Sequence, residues 1–158
     1  MNGQAMTATA AENVIEYVTA TIGGQLFGMP IARVRNVFMP DRMTRVPLAA
    51  PEVVGLLNLR GRIVTAIDMR RRLDLPARDD GRPRMAIEVE YKGEFYGLLI
   101  DAIGEVLKLL ATSREDNPVN LDVRLARVAA GVHRLDGKLM VILDVDRVLD
   151  IGVHAEAA

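Results

Sequence analysis

The side chains that most often perform catalysis are few and scattered in this sequence. Ser113 is the only serine, and it lies in a polar stretch without the Gly-x-Ser-x-Gly elbow that exposes a nucleophile. The two histidines, His133 and His154, are isolated from each other and have no spacing suited to a metal ion. The absence of cysteine excludes thiolate nucleophiles, thiolate metal sites and disulfides. We therefore expect no metal and no cofactor, with Ser113 in a loop and His133 on a strand facing solvent.

Carboxylates offer a second kind of chemistry, and here they occur in two pairs. Asp68 and Asp74 are six residues apart, and so are Asp144 and Asp150. A catalytic pair would need one carboxyl group desolvated beside the other. Because Asp68 and Asp144 each follow a short apolar run, the simpler prediction is that both cap the start of a helix. These observations together predict a protein that is not an enzyme.

Charge and composition also argue against nucleic acid and membrane as partners. The formal net charge is -1, and the chain has three Phe, three Tyr and no Trp, so a basic surface with stacking platforms is not expected. Arginines cluster between Arg70 and Arg84, but Asp74, Asp79 and Asp80 dilute them, which favours a solvated face or a protein-docking patch. No apolar run approaches the roughly 20 residues that cross a bilayer. We expect a cytoplasmic protein without direct membrane insertion.

The sequence contains an internal repeat. The stretch 55–75 returns as 131–151, 76 positions later, with seven of 21 positions identical. A second match joins 24–37 to 93–106 at an offset of 69. Each half therefore has the same order: a hairpin, a crossing segment, a glycine turn, a strand and a short helix. Asn58 and Arg60 become Arg134 and Asp136 in the copy, so these departures are the positions where we expect function.

The elements that must position these residues are mostly short strands separated by glycine turns. We predict strands at 14–22, 26–29, 63–67, 85–91 and 94–100, and a hairpin over 128–143 with a type I′ turn at Asp136-Gly137. Short helices are predicted at 52–57, after Asp68, after Asp144 and over 121–127. The segment 112–120 is predicted to be a polar loop. The segment 31–37 is either a short helical turn or a twisted strand. Such spacing of strands and turns is typical of small β-barrels.

We divide the chain into a flexible N-terminal tail at 1–13, a single domain at 14–151 and a C-terminal tail at 152–158. The approximate halves are 14–78 and 79–151, and strands could be exchanged between them. Each half is too small to bury a large core alone, so the halves should share an apolar interface.

Arg60 is the most informative single side chain. It lies between an apolar segment and Gly61, whose lack of a side chain permits a special backbone angle or a close approach. Two interpretations stay open: Arg60 pairs with a local carboxylate and stiffens the turn, or it supports a surface between the halves where a partner docks.

At these residues the sequence resembles the CheW family, the adaptors of bacterial chemotaxis. The resemblance covers about residues 16–151. It rests on the order and spacing of the following segments: Phe27–Val37, Thr44-Arg-Val-Pro47, Pro51–Arg70 with Gly55-Leu-Leu-Asn-Leu-Arg-Gly61, Tyr96-Gly-Leu-Leu-Ile-Asp101, Val106-Leu107 and Gly131 to Asp144. Asn36 stands where many relatives carry an acidic residue, and Thr65-Ala66 stands where a proline-containing pair is common.

The resemblance implies a mainly β fold of two SH3-like five-stranded barrels that share a hydrophobic core, with a few short helices. It implies a non-enzymatic adaptor that couples methyl-accepting chemoreceptors to the regulatory domain of the histidine kinase CheA and is recruited to membrane-associated receptor arrays. Contacts with other CheW-like domains in rings are left open. The same module could serve a non-motility pathway that controls pili or development, and a small β-barrel that binds a ligand or nucleic acid is the different-class alternative.

The resemblance also implies roles for particular residues. Those expected to meet the receptor are Val34, Asn36, Val37, Asn58, Arg60, Gly61, Met85 and Ile87, with Met85 and Ile87 lining a groove between the barrels. Glycines expected at structural turns are Gly28, Gly55, Gly97, Gly131 and Gly137. The residues that meet the kinase stay unassigned, beyond an expectation of exposed apolar side chains on one barrel and beside the connecting loops.

Overall fold

The computed structural model describes residues 13–78 and 81–151 of the protein. The predicted tails, apart from Asn13, lie outside these residues, as do His154, Asp79 and Asp80. No helix among the described residues is both long and apolar enough to cross a membrane.

Strands dominate the described part of the chain. They are β1 (Val14–Ile22), β2 (Gln25–Pro30), β3 (Asn36–Phe38), β4 (Val53–Leu59), β5 (Arg62–Asp68), β6 (Met85–Tyr91), β7 (Glu94–Ile100), β8 (Ala102–Leu110), β9 (Arg114–Glu115), β10 (Ala129–Leu135) and β11 (Lys138–Leu143). The helices are single turns, named here α1 (Met69–Arg72), α2 (Val123–Ala126) and α3 (Val145–Val148). Two 3₁₀ turns lie at Ile31–Arg33 and Ala111–Ser113.

The helix starts follow the sequence prediction. The Asp68 carboxylate accepts hydrogen bonds from the backbone N–H groups of Arg70 and Arg71 at the start of α1. Asp144 does the same for Asp146 and Arg147 at the start of α3. Asp68 and Asp144 therefore begin helices directly at the ends of β5 and β11, which confirms the capping role predicted for these two residues.

Some predicted elements were wrong or incomplete. The segment 52–57 was predicted to be a helix but forms most of β4, because Val53, Leu57 and their neighbours pair with β5 and fill the core. Strand β8 was not predicted: apolar residues lie on both of its faces, so no alternating pattern marks it. The segment 31–37 contains both structures considered for it, a 3₁₀ turn followed by the start of β3.

Two predicted turns also need correction. The hairpin over 128–143 is present, but Gly137 alone has a positive φ in its Asp136-Gly137 turn, whereas a type I′ turn needs a positive φ at both residues. Of the five glycines expected at turns, Gly137 is in one. Gly28 and Gly97 lie inside strands, and Gly55 and Gly131 lie at β-bulges, because they are needed for close packing: a Cβ at Gly55 would come 2.6 Å from the Thr44 carbonyl oxygen.

The strands form two SH3-like β-barrel subdomains. The first barrel has the strand order β8-β1-β2-β11-β10-β9, and the second has the order β3-β6-β7-β5-β4. The second barrel has the five strands expected, while the two-residue β9 gives the first barrel a sixth. The fold is mainly β, as predicted.

Each barrel takes strands from both halves of the sequence. The β1–β2 hairpin of the first half joins β8–β11, and the β6–β7 hairpin of the second half joins β3–β5. The registers follow the repeat: Ala66 pairs with Gly97 in the parallel β5–β7 ladder, and Ile142 pairs with Gly28 in the parallel β11–β2 ladder. The repeat offsets relate these two pairs: Ile142 is 76 positions after Ala66, and Gly28 is 69 positions before Gly97. The two barrels are therefore copies assembled from exchanged hairpins.

Three apolar clusters hold the barrels. The largest lies between them and takes side chains from both sheets, including Phe27, Ile67, Tyr96 and Val141. A smaller cluster fills each barrel, around Leu57 and Val64 in the second and around Tyr17, Met140 and Ile142 in the first. Many strands therefore have one face in their own barrel and the other in the shared core, which explains their continuous burial.

Arginines of the predicted basic segment join the two barrels instead of forming only a solvated face. The Arg70 guanidinium donates two hydrogen bonds to the Asp101 carboxylate, at 2.9 and 2.7 Å. Arg72 donates to the Val148 carbonyl at 2.8 Å, which links α1 to α3. These groups fix the relative orientation of the barrels and are committed to the fold.

Candidate functional site

The turn between β4 and β5 projects from one end of the second barrel. Arg60 and Gly61 form a two-residue loop with φ values of 52° and 85°, both positive, as a type I′ hairpin turn requires. The Asn58 side-chain oxygen accepts a hydrogen bond from the Gly61 N–H at 2.8 Å. Asn58 therefore fixes the shape of the loop from within.

Arg60 is exposed and, among the described residues, makes no ion pair. This contradicts the interpretation in which a local carboxylate holds it. Its left-handed backbone conformation costs roughly 1–2 kcal/mol for a residue with a side chain. Glycine would fit this position with less strain, so the arginine is not explained by the needs of the turn.

Ile63 is a neighbour of this turn that the sequence analysis placed in a buried strand. It lies directly opposite Asn58 in the β4–β5 ladder, and it is 59% exposed. Ile67, four residues on and thus on the same face, lies in the shared core. This face of the hairpin therefore extends beyond the shared core and becomes exposed at Ile63. The sequence pattern does not indicate which of its apolar residues the other barrel buries. We call Asn58, Arg60, Gly61 and Ile63 the hairpin surface.

The β3 segment supplies the other predicted receptor residues. Val34 and Val37 are half-buried and pack against the edge of the shared core, as does Met85 of β6. These three side chains lie at the margin of the core that the two barrels share, and the groove predicted there stays a prediction. Ile87 is directly opposite Val37 in the β3–β6 ladder, so the two side chains share a face, but Ile87 is 1% exposed and belongs to the shared core instead of lining an open groove.

Asn36 faces the other way, into the second barrel. It is directly opposite Glu88 in the ladder, so the two side chains share a face. Glu88 is 0% exposed and its carboxylate accepts a hydrogen bond from the Arg62 guanidinium at 3.1 Å. Arg62 comes directly after the Arg60-Gly61 turn. An ion pair between a buried carboxylate and a partly exposed guanidinium therefore connects the base of the hairpin to β6 beside Asn36.

An aromatic ring completes this end of the barrel. The Phe95 ring lies between the Arg62 guanidinium, 4.5 Å from its centroid, and the Arg35 guanidinium, 5.1 Å away. Arg35 also pairs with Glu90 at 3.3 Å. The hairpin base is thus held by charge and by cation–π contact, an arrangement that fixes the hairpin surface relative to β3.

His133 was predicted to face solvent and is instead 1% exposed inside the first barrel. Its Nε2 atom is 3.1 Å from the Tyr17 hydroxyl. Burial lowers the pKa of His133 and raises the pKa of Tyr17, so both groups are neutral near pH 7. Among residues 13–78 and 81–151 there is no group of three side chains that could hold a metal ion.

The described molecule is thus a two-barrel β protein that carries an exposed arginine without an ion pair, and an exposed isoleucine, at the tip of one hairpin. A family model described as the CheW-like domain matches residues 16–152. The chain belongs to the CheW-like domain family, whose members are adaptors and scaffolds, not enzymes.

Relatives agree with this assignment. The chemotaxis protein CheW of Helicobacter pylori is 25% identical over 87% of this chain and 83% of its own length. The crystal structure of the scaffolding protein TtCheW from Thermoanaerobacter tengcongensis has a TM-score of 0.77, with 26% identity over 87% of this chain and 93% of that one. The protein PilI of Pseudomonas aeruginosa is 29% identical, over 52% of this chain and 46% of its own length. The chain is therefore an adaptor of the chemotaxis type.

Proposed function

We propose that this chain couples the cytoplasmic tip of a methyl-accepting chemoreceptor to the regulatory domain of the histidine kinase CheA. The observation that carries the proposal is the hairpin surface: an arginine without an ion pair and an exposed isoleucine on a loop whose backbone is held rigid. In a CheW-like adaptor, such a surface has the properties of a protein contact, since it is preorganised and combines apolar area with a donor of directed hydrogen bonds.

The receptor face in this proposal consists of the hairpin surface and the half-buried side chains of Val34, Val37 and Met85. Asn36 and Ile87 act indirectly: Asn36 lies opposite Glu88 of the Glu88–Arg62 pair, and Ile87 is a core residue opposite Val37. The receptor would be met by side chains from both flanks of the second barrel.

The kinase contact is proposed for the first barrel. Strand β8 is an edge strand of that barrel, and it exposes Ile103, Val106 and Leu110. An exposed apolar edge on the opposite barrel would leave the receptor face free, so both partners could be held at once. Under this proposal the protein resides in the cytoplasm and is recruited to receptor arrays. The β8 edge would also be available for contacts with other CheW-like domains in rings.

Simultaneous capture of both partners tests the proposal. The immobilised chain is mixed with a receptor tip fragment, with the kinase regulatory domain, or with both, and we expect it to retain both together. Val106→Asp should release the kinase domain alone, and Arg60→Glu the receptor alone. If neither partner binds at tens of micromolar, a range typical of weak signalling contacts, the proposal fails.

A second pathway is favoured by one observation, the partial similarity to PilI. The same adaptor would then serve a system that controls pili. A deletion strain distinguishes the two: loss of directed swimming supports the chemotaxis pathway, and loss of surface motility with normal swimming supports the other.

A further inference from the structure

A cavity of about 820 Å³ opens on the second barrel, away from the hairpin surface. Its walls are the loop 45–51, the start of β4 and the end of β5. The hairpin surface lies at the other end of the same two strands. Since β5 has seven residues that rise about 3.3 Å each, the two surfaces are roughly 20 Å apart.

The cavity is basic. Among the described residues, three arginines line it, Arg45, Arg71 and Arg84, against one carboxylate, Asp68, so the formal charge of this lining is +2. Asp68 is already engaged, because it caps α1 and forms an ion pair with Arg84 at 3.2 Å. The cavity therefore holds positive charge that its own lining does not neutralise.

Arg45 is the least engaged of the three arginines in the cavity. It is exposed on the cavity wall and has no hydrogen-bond or ion-pair partner within the described residues. Its backbone is fixed nearby, since Thr44 exchanges two 2.7 Å hydrogen bonds with Leu56 of β4. A guanidinium group on an anchored segment, facing two others, is suited to binding carboxylate or phosphate oxygens.

The rim of the cavity is apolar and strained. Leu48 is 98% exposed and has a φ of 64°, a left-handed conformation that is unfavourable for leucine. Val46 and Pro47 precede it on the same wall. An exposed, strained leucine next to uncompensated arginines is costly for the free protein, and such strain is concentrated at sites that bind.

We propose that this cavity docks an acidic segment of a partner protein, one that presents at least two carboxylates beside an apolar side chain. The net positive charge fits the carboxylates, and Leu48 with Val46 fits the apolar side chain. A protein segment is favoured over a small molecule because the described lining residues include no aromatic ring and the largest apolar side chain among them, Leu48, is fully exposed instead of enclosing a ligand. This site does not depend on the receptor face proposed above.

Fluorescence anisotropy of the full chain with a short labelled peptide, acetyl-Leu-Glu-Glu-Leu-Asp-amide, tests the proposal. The matched probe has Gln and Asn in place of Glu and Asp. We expect the acidic peptide to bind about tenfold tighter than the amide peptide, and its affinity to fall several-fold between about 50 and about 300 mM salt.

Variants locate the binding. Arg45→Glu should weaken the acidic peptide about tenfold, while Arg127→Glu, the same change at an exposed arginine beyond the cavity, should leave it within about twofold. Leu48→Gly should weaken the peptide yet raise the melting temperature, because it removes the contact and the backbone strain together. If Leu48→Gly lowers both peptide affinity and the melting temperature, the role of Leu48 is purely structural.

Two outcomes would overturn the proposal. One is equal binding of both peptides, or binding that Arg45→Glu does not change. The other is tight binding of inorganic pyrophosphate, abolished by Arg45→Glu, without binding of the acidic peptide, which would make the cavity a site for small anions. Neither result bears on receptor capture through Arg60, so failure here is distinguishable from failure of the proposed function.

Discussion

The two hairpins related by the internal repeat, β4–β5 and β10–β11, have the same fold and different exposed surfaces. Both contain a bulge at the equivalent glycine, Gly55 or Gly131, and both lead into an aspartate that caps a helix. At the tips they diverge. The shared features build the barrels, so under the proposed function the differences between the tips are the features that bear on binding.

Three differences separate the tips. Arg60 adopts a positive φ and its counterpart Asp136 does not. Ile63 is exposed, whereas its counterpart Leu139 packs against the shared core. Behind them, the ion pair of Glu88 and Arg62 stands where the first barrel has Thr19 and Lys138. Compared with the β10–β11 tip, the β4–β5 tip therefore has a more strained backbone, more exposed apolar area and an ion pair at its base. This combination is expected of a docking surface.

The largest effect should come from the ion pair of Arg62 and Glu88, the brace at the base of the β4–β5 hairpin. Arg62→Met leaves the Glu88 carboxylate buried without a partner and should lower the free energy of unfolding by about 2–3 kcal/mol, less than for a fully buried pair because Arg62 is partly exposed. Lys138→Met, the equivalent change in the other hairpin, should stay within about 0.5 kcal/mol. Urea denaturation measures both.

The double variant Arg62→Met with Glu88→Leu serves as the control. It should regain most of the stability lost in Arg62→Met, because no charge is left unpaired. If it melts no better than the single variant, the loss comes from packing and the brace is not electrostatic.

Truncation of the two equivalent apolar residues should separate stability from binding. Leu139→Ala should cost about 2 kcal/mol, as expected for a core-packed leucine, and leave receptor binding unchanged once the protein is folded. Ile63→Ala should cost less than about 0.5 kcal/mol and weaken receptor binding. Equal losses of stability at both positions would remove the distinction between the hairpins.

Backbone strain gives a gain of stability at one tip. Arg60→Gly should raise the free energy of unfolding by about 1 kcal/mol, since glycine adopts the φ of 52° without a steric penalty. Asp136→Gly should bring no such gain, because Asp136 does not have a positive φ. Thermal melting of the two variants makes this comparison, and a loss of stability in Arg60→Gly would show that the arginine is needed for the turn.

The smallest effect concerns the interiors of the barrels. The first barrel contains Tyr17 and His133 where the second has Ala86 and Leu57. Because burial lowers the pKa of His133, the unfolded chain binds its proton more readily, and stability should fall as pH drops from about 7 through the ordinary histidine pKa of about 6.5. It should level off below the lowered folded pKa.

His133→Gln keeps a partner for the Tyr17 hydroxyl and removes the titrating group. Stability of this variant should therefore not change between about pH 7 and about pH 5.5 beyond the contribution of other groups. If the stability of His133→Gln falls with decreasing pH as steeply as that of the parent protein, His133 is not the source of the pH dependence.

Much of this architecture could be predicted from the sequence. Short strands, glycine turns and the repeat determined the β fold, and the aspartates after apolar runs marked the helix starts correctly. The exposed faces could not be predicted, because Ile63 and Leu139 occupy equivalent positions in similar patterns and differ only in what the other barrel covers. His133 was misplaced for the same reason: its partner Tyr17 is 116 residues away and joins it only through the exchanged hairpin.

The central claim is that one of two equivalent hairpin tips binds the receptor. The most direct test is titration of a receptor tip fragment against Arg60→Glu and against Arg134→Glu, the same charge reversal on an exposed arginine of the other hairpin. We predict a loss of affinity of more than about tenfold for Arg60→Glu and less than about twofold for Arg134→Glu, with both proteins melting within a few degrees of the parent. Equal losses, or full receptor binding by a folded Arg60→Glu protein, would contradict the account.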